Sequence, residues 1–93
     1  MSLAEFVTYM KEVHGPMAAK LPGLRKYVQN FVLEDSERKR PEWDAVVELY
    51  FPDRASFEAA WTTPQGKASD ADLPVFLDLA RTSWSLVEEV DVV

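Results

Sequence analysis

The sequence predicts an α+β domain: an antiparallel sheet with helices on one face. Three observations point there. An amphipathic helical stripe opens the chain. Two β-favouring runs follow, separated by a polar loop. Helix-starting signals then return before a last β-favouring run at the C-terminus.

The first element spans residues 2–14. Ser2-Leu3-Ala4-Glu5 has the form of a capping box, in which Ser2 accepts from the Glu5 amide and Glu5 reaches back. Leu3, Phe6, Val7, Met10, Val13 and His14 recur at three- and four-residue spacing and make one apolar stripe. Gly15-Pro16 is expected to end this helix, and a short helical turn through Ala18, Ala19 and Lys20 to stop at Leu21-Pro22-Gly23.

Residues 24–34 read as a strand on the strength of Tyr27, Val28, Phe31, Val32 and Leu33. Residues 35–42 read as a loop, and its short basic cluster, Glu37-Arg38-Lys39-Arg40, reads as solvated. The clearest strand is 43–51, where Trp43, Ala45, Val47, Leu49 and Phe51 alternate with Asp44, Val46, Glu48 and Tyr50. Asp53 is a good N-cap for a helix carrying Phe57, Ala60 and Trp61. Thr63-Pro64 looks like a restart, with Ser69 or Asp72 capping a last helical piece that tolerates Pro74 in its first turn. Trp84, Leu86, Val90 and Val92 predict a final strand over residues 83–92. The order helix, strand, strand, helix, strand is that of a ferredoxin-like domain without its first strand.

A chain of 93 residues holds one domain, 1–93. Apolar residues make up 47% of it and aromatic ones 12%, more than so small a body covers by itself. Both strands carry apolar groups on both faces, and helices cover only one, so a homodimer burying Tyr27, Phe31, Val46 or their face-mates is expected. The net charge of −6 argues against nucleic acid and against an anionic membrane surface as partners. The absence of cysteine excludes disulfides and thiolate chemistry, and no apolar run is long enough to span a bilayer. A cytoplasmic location fits these features.

The run Glu5-Phe6, Tyr9, Glu12-Val13-His14-Gly15-Pro16, Leu21-Pro22-Gly23-Leu24 and Tyr27-Val28-Gln29-Asn30 resembles the EthD family of the dimeric α+β barrel superfamily. Residues 43–51, the stretch from Pro64 to Asp72 with Phe76 and Asp78, and Val87-Glu88-Glu89 extend the likeness over nearly the whole chain. Family members usually begin with a strand ahead of the first helix, and here Met1-Ser2-Leu3 leads directly into it. The resemblance implies an enzyme acting without a cofactor on a hydrophobic, aromatic or polyketide-like metabolite, as an oxidoreductase, cyclase or isomerase. The alternative is a dimer that binds such a metabolite without chemistry; a purely structural dimer module is a third reading, against which His14 speaks.

His14 is the only histidine, and imidazole suits proton transfer near neutrality. Its competing reading is a structural histidine bonding backbone carbonyls at a helix C-terminus; haem ligation finds no other support in the sequence. Tyr50 and Tyr9 are the candidate phenolic helpers, and Tyr27, Trp61, Phe76 and Trp84 the candidate pocket walls, each with plain core packing as its alternative. The carboxylate pairs Asp70/Asp72 and Asp44/Glu48 have no metal-ligand company and read as solvated caps and strand edges. No Gly-rich phosphate loop is present.

Overall fold

The computed structural model describes residues 1–37 and 42–93. Arg38, Lys39 and Arg40 of the basic cluster lie outside the described residues. Helix α1 spans Leu3–Tyr9 and starts on the full capping box, with Ser2 Oγ accepting from the Glu5 amide at 3.1 Å and Glu5 accepting from the Ser2 amide at 2.9 Å.

The helix does not end at Gly15-Pro16. It widens into a π-turn over Met10–His14, where the Gly15 amide bonds the Met10 carbonyl, and then continues as α2, Gly15–Ala18. Pro16 explains the widening: it has no N–H to offer and its ring would crowd the carbonyl four residues back in a regular helix. Gly15 fits because a Cβ there would stand 2.7 Å from the Met10 carbonyl oxygen and 3.1 Å from the Gln29 side chain. Gln29 fastens the turn to the sheet by donating to that same carbonyl at 2.9 Å.

Strands β1, Lys26–Phe31, and β2, Ala45–Tyr50, pair antiparallel with Tyr27 opposite Leu49 and Gln29 opposite Val47. Tyr27, Gln29 and Phe31 face the helices: Gln29 reaches Met10, and the Lys11 ammonium lies over the Phe31 ring. Val46 shares the opposite face with Asn30, Glu48 and Tyr50, and is 50% exposed. Tyr27 and Phe31 therefore cannot share one interface with Val46, because successive strand residues point to opposite faces.

Helix α3, Arg54–Ala60, starts on Asp53, whose carboxylate accepts from the Ser56 amide. Helix α4, Pro64–Phe76, starts on Thr63 with Pro64 in its first turn. It is one helix of 13 residues, so Ser69 and Asp72 are interior positions rather than caps, and Pro74 stands near its end rather than in a first turn. Ala18, Leu21 and Ala60 form a buried cluster with Leu24, Tyr27, Phe51 and Trp61 packed on it.

The expected C-terminal strand is not formed: residues 83–93 pair with no strand. Strand-favouring residues form a strand only where a neighbour supplies the ladder, and the described sheet has two strands. The tail instead touches the sheet through Glu89, whose carboxylate accepts from the Tyr50 hydroxyl at 2.7 Å. The architecture is α+β, with the ferredoxin-like order of helices on one face of an antiparallel sheet. No helix among the described residues is long and apolar enough to cross a membrane.

Candidate functional site

Asp72 is where Tyr9 and His14, 63 and 58 positions away in the chain, meet. Tyr9, at the end of α1, donates its hydroxyl to Oδ1 at 2.6 Å, and Nδ1 of His14 bonds Oδ2 at 2.9 Å. An ionised carboxylate only accepts, so Nδ1 carries the ring proton and Nε2 keeps its lone pair when the ring is neutral. The two side chains of the His14–Asp72 pair are 8% and 10% exposed. Phe76, one turn beyond Asp72 on α4, covers the imidazole with ring centres 4.6 Å apart, and also packs on Tyr9 and Phe6. The bond to Asp72, then burial and the carboxylate's charge, raise the Tyr9 phenol above its ordinary value.

His14 is therefore not bonded to helix-end carbonyls, as its structural reading supposed. It opens instead on a cleft of about 1910 Å³ whose walls include Tyr27, Trp61, Leu73, Phe76 and Trp84. Nε2 has no hydrogen-bond partner among the described residues, and it is not a fully buried atom, since no fully buried side-chain nitrogen or oxygen there is left unpaired. The arrangement is an imidazole oriented from behind by a carboxylate, with its free nitrogen available and an apolar wall beside it.

The sequence-predicted residues divide into three groups. His14, Phe76, Tyr27 and Trp61 lie on the helix side of the sheet around the cleft. Tyr27 is half-buried, accepts from Gln29 at 2.9 Å, and is raised in pKa chiefly by burial. Trp61 also packs edge-on against Phe57, and Trp84 stands at the rim, 66% exposed. Tyr9 reaches Asp72 without lining the cleft; it packs on Phe76 and lines a separate shallow hollow with Met1, Glu5 and Val13. Tyr50 leaves β2 on the face opposite Leu49, the partner of Tyr27, and still lines the same cleft as His14. Its hydroxyl lies 2.7 Å from Glu89 and 2.9 Å from Glu48, and those two bonds, Glu89 first, push its pKa up. Asn30 donates to the other Glu48 oxygen and is the main cause of that carboxyl's lowered pKa.

Asp72 was the residue missed. Its signal is present: Ser69, Asp72, Leu73 and Phe76 recur at helical spacing, which places a carboxylate on the buried stripe of α4. Starting a new helix at Ser69 or Asp72 hides that stripe.

The EthD domain model matches residues 1–80. Among curated proteins there is no match. Among solved structures, the fold is similar to the crystal structure, at 1.40 Å, of an EthD (ethyl tert-butyl ether) family protein from Bacillus halodurans C-125. The two are 26% identical with a TM-score of 0.68, over 81% of this chain and 74% of that one.

Proposed function

The chain belongs to the EthD family, and on that premise we propose that it is a cofactor-independent enzyme that moves a proton on a hydrophobic, carbonyl- or phenol-bearing metabolite, as an isomerase or cyclase does. One observation carries this reading: His14 lines the cleft with Nδ1 held by Asp72, which leaves Nε2 as the nitrogen for a ligand. Nε2 takes a proton from an acidic C–H or O–H of the ligand. The resulting imidazolium is stabilised by the carboxylate behind it, as in histidine-carboxylate pairs generally. Phe76, Tyr27 and Trp61 supply apolar and aromatic surface for the ligand's body.

A second copy of the chain completes this reading. Val46 lies on the uncovered sheet face, and Trp84, Leu86, Val87 and Val90 are exposed on the tail. A two-fold partner would cover that surface.

The test uses an aryl alkyl ketone in deuterated water, with NMR following exchange of the protons next to the carbonyl. The wild-type chain is expected to accelerate exchange, and His14→Ala to lose about 10²–10⁴-fold while still binding the ketone. Binding without acceleration in the wild type would instead assign a metabolite-binding protein.

A further inference from the structure

We propose that Tyr9 is a positioning residue that fixes the tautomer of His14 through Asp72, and that the π-turn Met10–His14 exists to put the two on one face. The proposal rests on the reading of His14 given above. Tyr9 and His14 are five positions apart. In a regular α-helix, at about 100° per residue, such positions stand about 140° apart and cannot share one small partner. The π-turn inserts one extra residue between them, marked by the Gly15 amide bonding the carbonyl five residues back. Tyr9 and His14 then stand as residues four apart do, one above the other. Both reach the same carboxylate, one on each oxygen.

The division of Asp72 between them has a chemical consequence. A carboxylate held by a single bond can rotate about its Cβ–Cγ axis and turn its lone pairs out of line with Nδ1. With Oδ1 pinned by Tyr9 at 2.6 Å, Oδ2 is left facing Nδ1. That bond selects the Nδ1–H tautomer and leaves Nε2 as the acceptor at the cleft, the work usually done by a second layer of hydrogen bonds. Tyr9 does this without touching the ligand, since it lines the hollow beside Met1, Glu5 and Val13 and not the cleft.

Because His14 is the only histidine, long-range proton–nitrogen NMR spectra report its tautomer without ambiguity. The wild-type chain is expected to show one tautomer, with the proton on Nδ1, and Tyr9→Phe to show a mixture of both with an unchanged far-ultraviolet spectrum. A Tyr9→Phe spectrum identical to a single wild-type Nδ1–H tautomer overturns the role of Tyr9 and leaves the proton-transfer reading standing. A wild-type ring protonated on Nε2 overturns both. If Tyr9→Phe does not fold, the wild-type chain is made with fluorotyrosine, a stronger phenolic donor. Competition for Asp72 should then weaken the His14 bond and move the Nδ1 proton upfield; no movement overturns the proposal.

Discussion

Asp72 and His14 are 58 positions apart and meet at 2.9 Å, on the two helical segments that flank the cleft. The pair is nearly buried, and Tyr9 occupies the second carboxylate oxygen. Three polar side chains thus bond one another beside Phe76, whose ring packs on Phe6, Tyr9 and His14. Such a group is costly to break in part, because each survivor is left without a partner.

Asp72→Ala is therefore expected to destabilise the fold by about 1–3 kcal/mol, the cost of leaving a buried donor unpaired. Asp72→Asn is expected to lie close behind it, since an amide has one acceptor oxygen for two donors. Urea unfolding of the variants measures both. A cost below that of a routine surface change would show that the triad is not a packed unit. Combining Asp72→Ala with His14→Ala should cost less than the sum of the two, as expected for residues in contact.

The residues that made this site legible differ from those that did not. His14 stood out because it is the sole imidazole on an apolar stripe, and the first helix, both strands and the Thr63-Pro64 start followed from caps and periodicity. Asp72 was hidden by a helix boundary placed on it. The π-turn was hidden because Gly-Pro normally marks a helix end, and only the fold reveals that Gln29 and the sheet carry the chain through it. The tail has strand residues with no strand beside it. The alternation of strand 43–51 places Tyr50 on the face opposite Leu49, as the pairing register has it, and Tyr50 lines the cleft from there.

Helix α4 carries Asp72 and Phe76, so its start is a point of leverage. Helix propensity alone says that Gly66→Ala should stabilise by about 1 kcal/mol. The structure reverses the sign: a Cβ at Gly66 would lie 2.1 Å from the Ala60 carbonyl oxygen and 2.7 Å from the Trp61 Cα, both backbone atoms. A loss of about 1–3 kcal/mol is expected, as for overpacking elsewhere. Thr63→Ala removes the bond from the Gly66 amide to the Thr63 hydroxyl and is expected to cost about 1 kcal/mol. Thermal unfolding of the pair should rank Gly66→Ala as equal or worse; a stabilised Gly66→Ala would contradict the close approach of α4 to the end of α3.

The proposed homodimer has a direct test. Val46 is 50% exposed on the face opposite the helices. Sedimentation is expected to give a dimer for the wild-type chain at micromolar concentration, and Val46→Asp a folded monomer, because the charge would be buried without a partner. A wild-type monomer at that concentration excludes the two-fold assembly. A dimeric Val46→Asp chain moves the interface elsewhere.

Stability should also fall on both sides of neutrality, for separate reasons. Tyr9, Tyr27 and Tyr50 all have phenols raised above their ordinary value of 10.0: Tyr9 first by its bond to Asp72, Tyr27 by burial, Tyr50 by its bonds to Glu89 and Glu48. Above that value the unfolded chain releases protons that the folded chain still holds, so unfolding is favoured progressively as pH rises. The stabilisation is complete below 10 and is lost through the raised native values. Glu5, Glu48 and Asp53 behave in the opposite sense. Their carboxyls are lowered by bonds from Ser2, Asn30 and Ser56 respectively, below ordinary values of 4.5, 4.5 and 3.8. Their contribution is present above those values and disappears as pH falls through the native ones. Urea midpoints measured from acid to alkaline pH should therefore form a plateau with two descending limbs, and phenolate absorbance should show tyrosine ionisation delayed in the folded chain. Tyr50→Phe is expected to flatten the alkaline limb, since it removes the phenol whose two carboxylate neighbours oppose its ionisation most. An alkaline limb of unchanged slope in that variant would place the pH sensitivity on Tyr9 and Tyr27 instead.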